Sequence, residues 1–215
     1  MSLPKQGNEW GALKGLSVPT ITDLKPQRRA SYINVMVDGE FVCGLSDFQV
    51  AARGLHVGDE LSAEDIESLK TQSIEAKAYA SSLRYLSYRI RSTGELSDYL
   101  RKKEFSSSVI QSIIKKLTDE KYLDDEDFTN RWIRMRMDQN RSLATIRVEL
   151  MKKNINSSTI QEALAHIGGE ETKSQIARLV QKKRQQYPAP EKLIQYLLRK
   201  GFRYSDIKQV LEDNG

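Results

Sequence analysis

Apolar residues recur at two different intervals along this chain, and the change between them divides it. Near the start, Tyr32-Ile33-Asn34-Val35-Met36-Val37 and Glu40-Phe41-Val42-Cys43 are β-prone runs on either side of Asp38-Gly39. An Asp-Gly pair between such runs predicts a hairpin, because a type I′ turn needs positive φ at both central positions. A short helix from Ser46 to Arg53, ended by Gly54, is expected next. Ser62-Ala-Glu-Asp65 then reads as a capping box opening a helix through Leu69. From about Ala76 the strand signal vanishes and apolar residues fall at helical spacing.

That helical region repeats itself. Leu96, Leu100, Lys103, Phe105, Ile110, Gln111 and Ile114 return 50 residues later as Ile146, Leu150, Lys153, Ile155, Ile160, Gln161 and Leu164. A third copy follows after 47 residues, with Leu193, Leu197, Lys200, Phe202, Ile207 and Leu211. Each copy reads as three helices. In the first, a helix from Glu75 to Arg91 precedes one opened by Ser92-Thr-Gly-Glu95 and one capped by Ser106 or Ser107. In the second, Asp124 to Asp127 open a helix carrying Phe128, Trp132 and Met135 on one face. In the third, Ile176, Leu179 and Val180 mark the first helix, and Tyr187-Pro-Ala-Pro190 breaks the chain before two short helices. A three-helix unit of this size buries little alone, so its neighbours must stack.

The fold expected is mainly all-α: three tandem three-helix repeats forming an elongated curved array, preceded by a small β-hairpin plus helix module. The boundaries expected are a flexible tail at 1–28, the α/β module at 29–72, and repeats at 73–123, 124–168 and 169–215.

Composition narrows the function classes. No apolar run approaches the roughly 20 residues that span a bilayer, and the first residues hold no apolar core of signal-peptide length. The single cysteine, Cys43, fits a reducing compartment, so a cytoplasmic location is expected. Two histidines, His56 and His166, stand in different regions with no catalytic or metal-ligand spacing around them. There is no Gly-rich phosphate loop and no nucleophile elbow. A non-enzymatic protein is expected, with no cofactor, no metal and no small-molecule substrate.

Net charge is +5, and its distribution says more than its sum. Residues 40–70 carry seven acidic and two basic side chains, whereas 131–153 carry seven basic against two acidic, and 173–203 nine basic against one. The positive end of that polarity should meet something anionic, nucleic acid or an acidic protein face.

One block is more specific. Glu120-Lys-Tyr-Leu-Asp-Asp-Glu-Asp-Phe128, then Trp132, Arg136, Arg141 and Ile146-Arg147-Val-Glu149-Leu150, resembles the signature of the RecX family. Three tandem three-helix repeats match that family's architecture, and the N-terminal module is similar to the extension on its longer members. Lys121, Asn140 and Asn154 stand where the family usually has Gly. For Lys121, and for Glu104 opposite Gly201 of the third copy, differently shaped turns are expected. The resemblance implies a regulator that binds the RecA recombinase and RecA–single-stranded DNA filaments, damping strand exchange, ATP turnover and co-protease activity in recombination, DNA repair and the SOS response.

The candidate RecA- or DNA-binding residues form a basic face: Arg131, Arg134, Arg136, Arg141, Arg147, Lys152, Lys153, Lys182, Lys183, Arg184, Arg199, Lys200 and Arg203. Arg134 and Arg141 are seven apart and would align on a helix, with Arg131 near them. Lys103, Lys153 and Lys200 recur at one repeat position, either to complement helix C-termini or as a basic ladder. Lys182-Lys183-Arg184 beside Tyr187 is either a phosphate contact with a stacking ring or a helix end. The alternative function is a direct DNA-binding helical protein acting without RecA. It would show a steep salt dependence and a sequence preference.

Overall fold

The computed structural model describes residues 18–27 and 31–213. Most of the segment expected to be a tail (residues 1–17 and 28) therefore lies outside the described residues. The chain divides into two compact units, residues 1–77 and 78–215.

The first unit is built on a three-stranded antiparallel sheet, not a lone hairpin. Strands β1 (Ile21–Pro26), β2 (Tyr32–Val37) and β3 (Glu40–Ser46) lie in the order β1-β2-β3. The Asp38-Gly39 turn forms as expected, with φ of 49° and 82°. Strand β1 runs through residues read as tail; it pairs Ile21 with Val37 and Pro26 with Ile33. Its sequence, ITDLKP, has too few β-branched residues to announce a strand, yet Ile21 is fully buried against Val35, Val37, Cys43 and Leu45. A third strand gives the hairpin the support that an isolated two-stranded unit lacks.

Helix α1 (Asp47–Arg53) begins at Ser46, whose side chain accepts from the Gln49 amide, and ends at Gly54 in the left-handed region. Helix α2 (Ala63–Leu86) opens with reciprocal bonds between Ser62 and Asp65. It is one continuous helix where two were expected, and it stops at Leu86, short of Arg91. The boundary between the two units falls within it.

The second unit is all helix: α3 (Thr93–Lys102), α4 (Ser107–Asp119), α5 (Asp125–Asp138), α6 (Leu143–Met151), α7 (Ser157–Ala165), α8 (Gly169–Lys183), α9 (Pro190–Arg199) and α10 (Tyr204–Asp213). Ser92, Ser106, Asp124, Ser142 and Asn156 supply side-chain N-caps to five of them. Ala189, before α9, supplies none. The three sets of apolar positions found in the sequence form three separate cores. They centre on Leu96, Leu100, Ile110 and Leu117; on Phe128, Ile146, Leu150 and Ile160; and on Ile176, Leu193, Leu197 and Ile207. Met135, expected beside Phe128 and Trp132, is exposed, and Ile133 takes the buried place.

Helix ends repeat as faithfully as helix faces. Glu104, Asn154 and Gly201 hold one repeat position, and all three adopt positive φ, at 65°, 57° and 87°. After each, the next amide reaches back to a leucine carbonyl: Phe105 to Leu100, Ile155 to Leu150, Phe202 to Leu197. Lys121 and Asn140 end α4 and α5 the same way. These are Schellman closures, in which a left-handed residue lets two amides satisfy the last carbonyls of the helix. The expectation of differently shaped turns at Lys121 and Glu104 is therefore corrected. The carbonyls impose the turn, and a side chain in the left-handed region accepts a strain of about 1–2 kcal/mol.

Candidate anion-binding cleft between α5 and α8

The second helix of each repeat carries the joint to its neighbour. The Ser92 hydroxyl at the start of α3 donates to the Lys153 carbonyl at the end of α6, over 2.8 Å. Gly94 lies flush against that end; a Cβ there would overlap Asn154 and come within 2.6 Å of the Lys153 carbonyl. One repeat on, the Ser142 amide and the Thr145 hydroxyl both donate to the Lys200 carbonyl at the end of α9, at 3.3 Å. Here the glycine is on the other partner: a Cβ on Gly201 would overlap Thr145 and Ser142.

Charge enters the first joint directly. Glu95 accepts from Arg89 at 2.9 Å and from Lys153 at 2.7 Å, with side-chain exposures of only 15% for Glu95 and 17% for Lys153. Burial works to raise the Glu95 carboxyl, but the hydrogen bonds and charges of Arg89 and Lys153 outweigh it and bring the pKa down to about 2. The Lys153 ammonium also lies 4.2 Å from the Trp132 ring. Trp132 donates through Nε1 to Glu149 at 3.1 Å, and Arg136 pairs with the same carboxylate while its guanidinium lies over the Trp132 ring. Hydrogen bonding from Arg136 holds the Glu149 carboxyl below its ordinary range. Three of the residues that carried the family resemblance, Trp132, Arg136 and Glu149, are thus joined with Lys153 in a network of ion pairs and cation–π contacts.

This sorts the predicted basic face. Arg136 and Lys153 are consumed in the network. The repeating lysines each lie over an aromatic ring: Lys103 over Tyr99, Lys153 over Trp132, Lys200 over Tyr196. Arg131 is paired with Asp127, one turn away. Arg141 is half-buried beyond the end of α5, since Asn140 has turned the chain, so the helical alignment with Arg134 does not form. Lys183 bonds Gln186 and Tyr187 stacks on Tyr196, so that ring is already covered on one face. Arg147, Lys152, Arg184, Arg199 and Arg203 are exposed on several different helices or their ends.

Arg134 remains, and it has company that the sequence did not single out. It lines a cleft of about 530 Å³ with Met137, Asp138 and Asn140 from the end of α5, and Gln175, Arg178, Leu179 and Lys182 from α8. Arg178 and Lys182 are four residues apart, which places them on one face of α8. Among the described residues, none of the three cations has a salt-bridge partner. Arg178 belonged to the basic run at 173–203 but drew no attention, because nothing in the sequence says that α8 lies against the end of α5. No group of His, Cys, Asp or Glu among the described residues could hold a metal ion. No helix among them is long and apolar enough to cross a membrane.

Two family profiles match the second unit: one described as RecX, first three-helix domain, over residues 78–117, and one as RecX, second three-helix domain, over 124–164. The regulatory protein RecX of Bacillus subtilis is 30% identical over 203 residues, covering 91% of this chain and 77% of that protein. The chain belongs to the RecX family. Regulatory RecX proteins of Lactobacillus gasseri and Oceanobacillus iheyensis are 34% and 35% identical, over 72% and 74% of this chain. The chain spans about three-fifths of the length of those two relatives, 57% and 61%. A crystal structure of a regulatory protein RecX superposes with a TM-score of 0.71 at 25% identity, covering 90% of this chain and 99% of that one. RecX from Lactobacillus salivarius superposes with a TM-score of 0.60 at 27% identity, over 65% and 96%. In terms of these RecX domains, the cleft has one wall in the second three-helix domain and the other in α8, beyond both matched stretches.

Proposed function

We propose that this chain is a non-enzymatic, cytoplasmic regulator that binds RecA and RecA–single-stranded DNA filaments and damps recombinase, ATPase and co-protease activity. Its membership of a family whose relatives are named regulatory proteins supports the class of role. The observation that carries the binding surface is the cleft. Three cations without acid partners, Arg134, Arg178 and Lys182, converge there while their neighbours Arg131 and Arg136 are neutralised. Three cations against the single carboxylate of Asp138 leave the cleft net positive, which favours an anionic partner. Of the basic face read from the sequence, Arg134 and Lys182 line this cleft.

The test is ATP hydrolysis by RecA on single-stranded DNA, titrated with this protein. Inhibition well below one-to-one is expected, since a filament regulator acts on many subunits from few sites. The variants R134E, R178E and K182E are expected to inhibit about tenfold less well, at unchanged helicity, if each removes one charge-assisted contact. Absence of inhibition at excess protein, with DNA binding retained and steeply salt-dependent, would move the assignment to a protein that acts on DNA directly.

A further inference from the structure

The cleft can be read more finely, because its walls are fixed and its lining is mixed. Gln175, 2% exposed, donates through Nε2 to the carbonyls of Met137 at 3.1 Å and Arg141 at 3.3 Å. Those bonds add a second donor to the Met137 carbonyl, which already accepts from the Asn140 amide at 2.8 Å, and pin α8 against the end of α5. The site is therefore preformed, and its three cations are exposed at the rim.

Three features of the lining select among anions. The half-buried Met137 gives the cleft an apolar surface beside the charges, while Leu179, 2% exposed, backs it from the core of the third repeat. Asp138 places one carboxylate there, and the adjoining end of α5 points its negative dipole end into the same region. No aromatic ring is among the described residues that line the cleft. A single-stranded nucleic acid seeks rings on which its bases stack, and its phosphates bring no N–H for Asp138. A peptide brings carboxylates for the arginines, backbone N–H groups for Asp138, and an aliphatic side chain for Met137.

We propose that the α5–α8 cleft docks an acidic peptide segment of a partner protein, its carboxylates gripped by Arg134, Arg178 and Lys182 and an apolar side chain laid on Met137. Only the identity of that partner rests on the RecA reading; the cleft chemistry does not need it.

The experiment uses the full chain and a fluorescein-labelled peptide of Glu-Glu-Leu repeats, with labelled oligothymidylate of similar length as comparator, followed by anisotropy. The peptide is expected to bind. Binding should weaken about tenfold in each of R178E and K182E, since each loses a charge-assisted contact, and little in R131Q, whose cation Asp127 already neutralises. Unlabelled oligothymidylate should fail to displace the peptide. Peptide binding that ignores R178E and K182E, or oligothymidylate binding that tracks those variants while the peptide does not bind, overturns the proposal. Because RecA is absent from this assay, peptide binding that persists when RecA inhibition fails would sink the functional reading and leave the cleft assignment standing.

Discussion

The joint between the first and second repeats and the joint between the second and third share one backbone design and differ in chemistry. In both, the N-terminus of a second helix meets the carbonyl end of the next second helix, with a serine at the contact and a glycine that permits close approach. The first joint adds a charge cluster, a largely buried Glu95–Lys153 pair joined by the more exposed Arg89, with Trp132 over Lys153. The second uses only backbone and hydroxyl groups, with Thr145 where the first has Glu95. Cations at the first joint are therefore spent on cohesion. Those beside the second joint, Arg134, Arg178 and Lys182, share their cleft with one carboxylate, Asp138, which among the described residues is salt-bridged to none of them. The same residue type serves structure in one place and is left free for a partner in the other, and only the placement of acids decides which.

Breaking the second joint should have the largest effect. Gly201→Ala meets both a positive φ and an overlap with Thr145, so a loss of about 3 kcal/mol is expected, read from urea unfolding. At the first joint, Glu95→Gln leaves Lys153 and Arg89 without their carboxylate and should cost about 2–3 kcal/mol. Its signature is in the pH dependence. The folded-state carboxyl titrates near 2 instead of 4.5, so its contribution is complete above about pH 5 and is lost as pH falls toward 2. Thermal melts across that range should show a shallower acid limb for the variant; an unchanged limb would mean the cluster contributes nothing to folding. Gly94→Ala should cost about 1–2 kcal/mol, against the gain of roughly 1 kcal/mol that the same change gives in an open helix. Glu104→Gly relieves a left-handed glutamate and should raise stability by about 1 kcal/mol. Smallest of all, Arg131→Gln on an exposed pair should leave the unfolding midpoint unmoved.

The helical repeat was legible because its cores follow period and offset: Leu96, Ile146 and Leu193 are all buried, as their spacing demanded. The hairpin was legible because Asp38-Gly39 admits few other conformations. Strand β1 was not, since its burial comes from Val35 and Val37 across the sheet and not from its own pattern. The same limit governs the site. The sequence marks where arginines are dense, and Arg134 was found that way. It cannot say that Glu149 reaches Arg136 from thirteen residues away, that Lys153 belongs to Glu95 of the preceding repeat, or that Arg178 faces Arg134 across a cleft. Those are tertiary facts, and they separate the bound cations from the available ones.

The start of α9 carries a further consequence. Where the first two repeats present Ser92 and Ser142 to the oncoming helix end, the third presents Ala189 followed by Pro190, and its counterpart of Gly94 is Glu191. A further helix end arriving there would find no hydroxyl to donate to its last carbonyl and a long charged side chain where the small residue should be; the Ala189 amide, counterpart of the Ser142 amide, is kept. The start of α9 therefore lacks the hydroxyl donor that both existing joints use.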